Sequence, residues 1–233
     1  MFSVDKKPHG KRAGKTSRRT GWLAFHRGRP NRGPGLRLDH DVFHPFSRRT
    51  RQGRAEDPWH SHFGASRDLA ASPGIPRLTL DERQQIDVTV DGADEVDPKL
   101  RAIKGGGGAL LREKIVASAT RRLVIVVDST KRVPVLGKFP LPVEVIPFAQ
   151  MLLAKKITAL GAEVRPRVKA DGKPFVTHEG HHILDCNFGR IATPETLARH
   201  LSDMPGVVEH GLFINMASVV LIAKGNRVLE LRG

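Results

Sequence analysis

The 233-residue chain is long enough to bury a hydrophobic core without disulfides or structural metals, so its size excludes a stapled miniprotein. Its formal net charge of +15 suggests an anionic partner, but the charge is uneven: residues 1–70 hold 16 Lys or Arg and 6 Asp or Glu, against 23 and 18 in residues 71–233. Most of the excess positive charge therefore lies in the N-terminal part of the chain and is not a property of the whole protein.

The N-terminal segment, residues 1–64, has apolar residues with neither the period of a strand nor that of a helix, among Arg, His, Gly and Pro. Such a segment buries too little surface to offset its ordering entropy, so disorder is predicted. Its basic charge leaves nucleic-acid binding open as an alternative, although it contains no recognisable stacking module.

From about Ala65 the sequence changes to alternating strands and helices. A short helical patch and a strand-like pair, Leu78 and Leu80, come first. A strand at 86–90, a glycine loop at 105–108, a helix at 109–120 and a continuous apolar strand at 122–127 follow. An unbroken apolar run suits a parallel strand covered on both faces, so this stretch predicts a βαβ unit.

The next elements predict a smaller βαββαβ unit of about 70 residues. They are a strand at 142–146, a helix at 148–160 ended by Gly161, strands at 162–168 and 181–186, a helix at 194–203 with Thr193 as its N-cap, and the strand GVVEHGLF at 206–213. The last residues, SVVLIAKGNRVLEL, predict a hairpin that turns at Gly225 and Asn226 and returns to the first sheet.

The predicted fold class is therefore α/β. Residues 65–140 and 210–233 form a Rossmann-like, mostly parallel sheet domain, and residues 141–209 form a smaller ferredoxin-like α+β domain. No window has the ~18 consecutive apolar residues of a membrane span, which predicts a soluble protein. The single cysteine, Cys186, predicts a buried thiol in a reducing, cytoplasmic compartment.

Several polar residues fall where parallel sheets bind ligands, at the carboxyl ends of strands. Asp91, Asp94 and Glu95 follow the first strand, although a solvated acidic turn would have the same composition. Lys131 follows the next strand, where a cation suits a phosphate, although a single exposed lysine is usually only a solvated charge.

The stretch KGGGGALLREK adds a second group of candidates. Glycines before a helix allow close backbone approach to a ligand, and the helix N-terminus offers N–H groups to an oxyanion, although a flexible connector would look the same. Glu113 lies in the first helical turn, where an acid also simply favours the helix dipole. Together, acids, a lysine and a glycine loop at one sheet edge predict enolisation chemistry without a metal or organic cofactor.

These residues also carry a family resemblance. DGADE (91–95), KGGGGALLREKI (104–115), DSTK (128–131), LGKFPLPVEVIP (136–147) and PGVVEHGLF (205–213) resemble the motifs of ribose-5-phosphate isomerase, type A. The resemblance implies a cofactor-independent aldose–ketose isomerase of the pentose phosphate pathway. It would interconvert ribose 5-phosphate and ribulose 5-phosphate through an enediol, as a cytoplasmic homodimer or homotetramer.

The resemblance also implies a role for individual residues. Glu113 would be the proton acceptor. Asp91, Gly92, Ala93 and Asp94 would form the substrate loop, in which the aspartates assist ring opening and hold hydroxyls. Lys104 with Gly105, Gly106 and Gly107 would surround the reacting oxygens. Lys131 would be a further substrate-binding lysine.

The resemblance runs from about Ala65 to the end. The family's opening helix, strand and Gly-Thr-Gly-Ser-Thr phosphate loop are not legible in residues 1–64. One hypothesis is that this segment is translated out of frame from a GC-rich gene. The alternatives are an inactive or impaired relative that lacks the phosphate loop, or nucleic-acid binding through the basic segment.

Overall fold

A computed structural model describes Leu23–Phe25, Trp59–His60, Leu80 and residues 84–233. Apart from the two short strands among these residues, the predicted disorder of residues 1–64 lies outside the described part of the chain. So do the predicted helical patch after Ala65 and most of the Leu78–Leu80 strand.

The described elements alternate much as predicted. The strands are β1 (Leu23–Phe25), β2 (Trp59–His60), β3 (Ile86–Asp91), β4 (Glu95–Val96), β5 (Ala102–Ile103), β6 (Thr120–Asp128), β7 (Leu141–Val145), β8 (Glu163–Pro166), β9 (His182–Asn187), β10 (Val207–His210), β11 (Leu212–Phe213), β12 (Ala217–Lys224) and β13 (Arg227–Arg232). The helices are α1 (Leu110–Ser118), α2 (Gln150–Ala159) and α3 (Pro194–Ser202).

The first sheet has the strand order β13-β12-β6-β3-β1-β2. Strands β12, β6 and β3 are parallel, and the strands outside them pair antiparallel, so the sheet is mixed. Leu123, Val124 and Ile125 of β6 are all buried, with alternate residues in two separate core clusters. This two-sided burial confirms the interpretation of the apolar run as a covered parallel strand.

The second sheet has the strand order β10-β7-β9-β8 and is antiparallel throughout. Leu153 and Ile157 of α2 and Leu201 of α3 are fully buried in its core. The predicted βαββαβ unit is confirmed. Thr193 is the N-cap of α3, as predicted, although its side chain makes no capping hydrogen bond.

A third sheet, β11-β5-β4, was not predicted. It forms because the predicted single strand at 206–213 divides at Gly211 into β10, in the second sheet, and β11. A Cβ at Gly211 would lie 2.4 Å from the backbone oxygen of Lys104, so only glycine fits at this crossing. Backbone bonds hold it there, from Gly211 N to Pro142 O (2.8 Å) and from Lys104 N to Gly211 O (2.9 Å).

The chain ends in the predicted hairpin. β12 pairs with β13 across a turn that includes Gly225, which has a φ of 58°, and β12 lies beside β6 in the first sheet. The domain boundaries given above stay a prediction. Among the described residues, no helix is both long and apolar enough to cross a membrane.

Candidate active site

Asp91 is the last residue of β3 and lies at the carboxyl end of the parallel strands. Its side chain is 5% exposed. One carboxylate oxygen accepts a hydrogen bond from Gly92 N (2.7 Å), and the other lies 2.7 Å from Lys104 Nζ. Burial raises the pKa of Asp91, and the Lys104 ammonium opposes that shift.

A tight hairpin, β4–β5, brings Lys104 back to Asp91. Its turn is held by Asp97, whose carboxylate accepts hydrogen bonds from the backbone N–H groups of Lys99 (2.9 Å) and Arg101 (3.0 Å). Leu100 takes the left-handed conformation, with a φ of 59°. The Asp97 carbonyl also accepts a hydrogen bond from Leu100 N (3.1 Å), which closes the turn.

Lys104 follows β5 and is 3% exposed. Its ammonium donates to Gly92 O at 2.5 Å and forms ion pairs with Asp91 and with Glu113. Burial lowers the pKa of Lys104, but the two carboxylates outweigh burial, and the net shift is upward. The lysine is therefore a fixed cation at neutral pH.

Glu113 lies in the first turn of α1, with its side chain 10% exposed. Its Oε2 forms an ion pair with Lys104 Nζ at 3.3 Å and, within the described part of the chain, is a buried oxygen without a hydrogen-bond partner. Burial raises the pKa of Glu113 to about 7, against the opposing effect of Lys104. Asp91, Lys104 and Glu113 are called the Lys104 cluster below.

The glycine loop lies beside this cluster. Asp94 accepts a hydrogen bond from Gly106 N at 2.7 Å, and a Cβ on Gly106 would lie 2.6 Å from an oxygen of that carboxylate. Gly108 has a φ of 85°, and a Cβ there would lie 2.4 Å from the ring of Phe175. The loop needs glycine at these positions because its neighbours approach the backbone directly.

Three of the predicted site residues are less closely involved. Ala93 is partly buried and packs against the core of the first sheet. Gly107 is exposed, and a Cβ there would meet no atom of the described residues within 4 Å. Lys131 lies in the turn after β6, and it makes no hydrogen bond or ion pair with the Lys104 cluster within the described part of the chain.

Glu95 does not belong with Asp91 and Asp94. Its carboxylate is 3% exposed and accepts hydrogen bonds from Gly137 N (2.8 Å) and Phe139 N (2.6 Å). It therefore fixes the loop that leads into β7. Grouping Glu95 with the acids at the strand end was wrong, because β4 carries its side chain away from the others.

A second buried lysine lies near the first. Lys114 Nζ donates to Glu209 Oε1 (2.6 Å) and to His210 O (2.5 Å), and it is 3.2 Å from His210 Nδ1. Lys114, Glu209 and His210 are called the Lys114 cluster below. Burial lowers the pKa of Lys114, and burial together with Lys114 lowers the pKa of His210 to about 4.

Sequence reasoning also missed Arg167. Its guanidinium, 13% exposed, donates to Gly105 O and Gly106 O in the glycine loop. A basic residue after a strand is usually solvated, and about sixty residues separate it from the loop. No local pattern could have indicated the contact.

The arrangement can move a proton between adjacent carbons. Glu113 is a buried carboxylate with a pKa near neutrality, which suits a general base. Lys104 and the glycine loop supply a cation and backbone donors for an oxyanion that develops beside it. Within residues 84–233 and the other described positions, no three His, Cys, Asp or Glu side chains are grouped so as to hold a metal ion.

Comparison with known proteins gives the lineage. Residues 64–227 match the model of the family ribose 5-phosphate isomerase A (phosphoriboisomerase A). The chain belongs to the ribose-5-phosphate isomerase A family. The match begins within one residue of Ala65, where the resemblance to the family was predicted to start.

Individual relatives support the family assignment. The chain is 51% identical over 180 residues to ribose-5-phosphate isomerase A of Bradyrhizobium diazoefficiens, covering 72% of this chain and 75% of the relative. It is 54% identical over 170 residues to that of Sinorhizobium medicae, covering 70% and 73%. The solved ribose 5-phosphate isomerase A of Neisseria gonorrhoeae is 37% identical, with a TM-score of 0.69 over 74% of this chain and 76% of the other. The predicted family and α/β fold are confirmed.

Proposed function

We propose that this chain interconverts ribose 5-phosphate and ribulose 5-phosphate through an enediol. The observation that carries the proposal is the Lys104 cluster, in which a buried base and a buried cation are 3.3 Å apart. The family assignment supports the same reaction. The enzyme is then an intramolecular oxidoreductase of carbohydrate metabolism, within the pentose phosphate pathway.

Glu113 takes the proton from C2 of the open-chain aldose, and the electron pair of that bond forms the C1–C2 double bond. The carbonyl electrons move to O1, where Lys104 and the N–H groups of the glycine loop stabilise the negative charge. Return of the proton to C1, with transfer of the O2 proton to O1, gives the ketose. No oxidant or reductant is consumed.

The other predicted residues hold the substrate. Asp91 and Asp94 lie on either side of Gly92 and Ala93 and accept hydrogen bonds from sugar hydroxyls, and they assist ring opening. Lys131, at the carboxyl end of β6, attracts the phosphate. A D-ribose-5-phosphate isomerase that is 37% identical to this chain, with a TM-score of 0.70, was solved in complex with phospho-erythronic acid. A phosphorylated acid of that kind is a suitable probe of this site.

The test is a direct assay of ribose 5-phosphate conversion by the full chain, with unphosphorylated ribose as the control substrate. We expect conversion of the phosphorylated sugar, inhibition by phospho-erythronic acid, and a higher KM in Lys131→Ala than in Lys138→Ala. A chain that shows neither conversion nor a thermal shift with phospho-erythronic acid would contradict the proposal and favour an inactive relative. The comparisons do not favour that alternative or nucleic-acid binding.

We also propose that the chain works as a cytoplasmic homodimer or homotetramer. An apolar patch at the start of α2 supports self-association: Phe148 is 98% exposed, Met151 76% and Leu152 56%. The buried thiol of Cys186, whose pKa burial raises to about 12, supports a reducing compartment. Sedimentation of the wild type and of Phe148→Ser tests the assembly, which the variant should weaken, and cell fractionation tests the location.

A further inference from the structure

One side chain of the second sheet reaches into the proposed site. Arg167 lies directly after β8, and its Nη1 donates to Gly105 O at 2.9 Å and to Gly106 O at 3.2 Å. Both acceptors belong to the glycine loop that flanks Lys104. The two peptides of the loop are therefore held by a residue from a different sheet.

Arg167 is itself fixed from three sides. The Asp185 carboxylate on β9 accepts two hydrogen bonds from the guanidinium, one of them 2.9 Å from Nε. The backbone of Arg167 bonds to Ile183 O (2.8 Å) and to Phe175 N (2.9 Å). Its guanidinium carbon lies 5.8 Å from the centre of the Phe175 ring, within cation–π range. A bidentate, stacked arginine is a rigid support.

The consequence for the loop follows from peptide geometry. In a trans peptide the C=O and the following N–H point in opposite directions. When Arg167 binds Gly105 O, Gly106 N–H must point the other way, and it does donate to Asp94 at 2.7 Å. When Arg167 binds Gly106 O, the N–H of Gly107 is likewise turned away from the guanidinium.

We propose that Arg167, held by Asp185, is a positioning residue that fixes both peptides of the glycine loop, so that the Gly106 N–H stays bonded to Asp94 and the Gly107 N–H stays turned toward the reacting oxygens. The inference rests on the proposed isomerase function. Without Arg167 the Gly105–Gly106 peptide keeps its bonds to Gly108 N and to Asp94. The Gly106–Gly107 peptide loses the guanidinium bond to its carbonyl and can rotate, so that a carbonyl dipole replaces its N–H beside the developing oxyanion. The Phe175 ring, which stacks on the Arg167 guanidinium, also lies against the loop, because it occupies the space that a side chain at Gly108 would need.

The experiment compares Arg167→Ala with Arg165→Ala in the full chain. Arg165 is the matched control because it lies two residues earlier, is 79% exposed and pairs only with Glu163 among its described ion-pair partners. Removing one oxyanion donor costs roughly 100- to 1,000-fold in kcat, so loosening the donors should cost about 10- to 100-fold, with KM changed less than about threefold. Arg167→Lys should recover only part of kcat, because an ammonium lacks the planar fork.

A second measurement does not depend on activity. Amide hydrogen exchange at Gly106 and Gly107 should be faster in Arg167→Ala than in Arg165→Ala, while the melting temperatures of the two variants stay close. Unchanged exchange, a wild-type kcat in Arg167→Ala, or a rise in KM alone would each overturn the positioning role. An inactive wild type that still shows the exchange difference would count against the isomerase function and leave the support of the loop by Arg167 in place.

Discussion

Two buried lysines lie against the same aromatic ring and have opposite surroundings. Lys104 Nζ is 5.5 Å and Lys114 Nζ 5.1 Å from the centre of the Phe213 ring. Lys104 faces two carboxylates, its pKa is raised, and one oxygen of Glu113 has no hydrogen-bond partner among the described residues. Lys114 has one carboxylate, a carbonyl and an imidazole, and its pKa is lowered.

This difference distinguishes a cluster that stabilises the fold from one that can react with a ligand. The donors and acceptors of the Lys114 cluster bind one another, so the cluster ties α1 to β10. The Lys104 cluster keeps an excess of negative charge in a dry site, which costs stability and leaves a base available. Burial of a lysine therefore does not indicate catalysis, whereas an unsatisfied carboxylate beside it does.

The largest expected effect is a difference in kcat between glutamine substitutions at the two glutamates, Glu113 and Glu209. Glu113→Gln should lower kcat by about 100- to 10,000-fold, because it removes the general base while keeping the side chain's size. Glu209→Gln should leave kcat within about threefold and lower the melting temperature, since a buried lysine loses its counter-ion. Steady-state kinetics and thermal melts of both variants decide this. A Glu113→Gln enzyme that kept its kcat would show that Glu113 is not the base.

Replacing each lysine by methionine should lower the free energy of unfolding by different amounts in the two clusters. Lys104→Met leaves two buried carboxylates without a cation and should cost about 3–5 kcal/mol in the free energy of unfolding at pH 7. Lys114→Met leaves Glu209, which is 21% exposed and can be reached by water, so the cost should be about 1–3 kcal/mol. Urea unfolding measures both. Equal losses would mean that the two clusters bear similar uncompensated charge.

The pH dependence of both activity and stability should follow the raised pKa of Glu113 in the Lys104 cluster. kcat/KM should rise with pH to a plateau above about 7, as Glu113 loses its proton. The folded chain holds that proton more tightly than the unfolded chain, whose glutamate titrates near 4.5. The contribution of Glu113 to the free energy of unfolding should therefore fall between about pH 4.5 and 7. Unfolding curves of wild type and Glu113→Gln across this range should converge at low pH; parallel curves would contradict the raised pKa.

The smallest expected effect is at the shared ring. Phe213→Leu should lower the free energy of unfolding by about 1–2 kcal/mol, mostly by removing two desolvated cation–π contacts. In the Lys114→Met background the same substitution should cost less, because one of those contacts is already gone. A double-mutant cycle measures the difference, and full additivity would show that the ring does not interact with Lys114.

Local patterns predicted the parts of the fold that depend on local chemistry. The apolar run of β6, the stop at Gly161 and the hairpin at Gly225 each follow from residues close in sequence, and the structure confirms them. The spacing of KGGGGALLREK likewise predicted that Glu113 lies on the first turn of a helix beside the glycine loop. These features can be predicted from the sequence because helix and strand periods repeat within a few residues.

The errors all involve contacts distant in sequence. The division of residues 206–213 into two strands depends on Gly211 crossing Lys104, about a hundred residues away. The side of the chain on which Glu95 lies depends on strand register, because a shift of one residue reverses every side chain. The position of Arg167 depends on how the two sheets meet, which no single segment encodes.

Cys186 has a practical consequence. The chain has one cysteine, it is fully buried on β9, and its pKa is near 12, so at neutral pH almost none of it is thiolate. Thiol reagents that need the thiolate will therefore not react with Cys186 in the folded protein. A cysteine introduced at an exposed position such as Gly107 can therefore receive a fluorescent or spin label selectively, without first replacing the native residue.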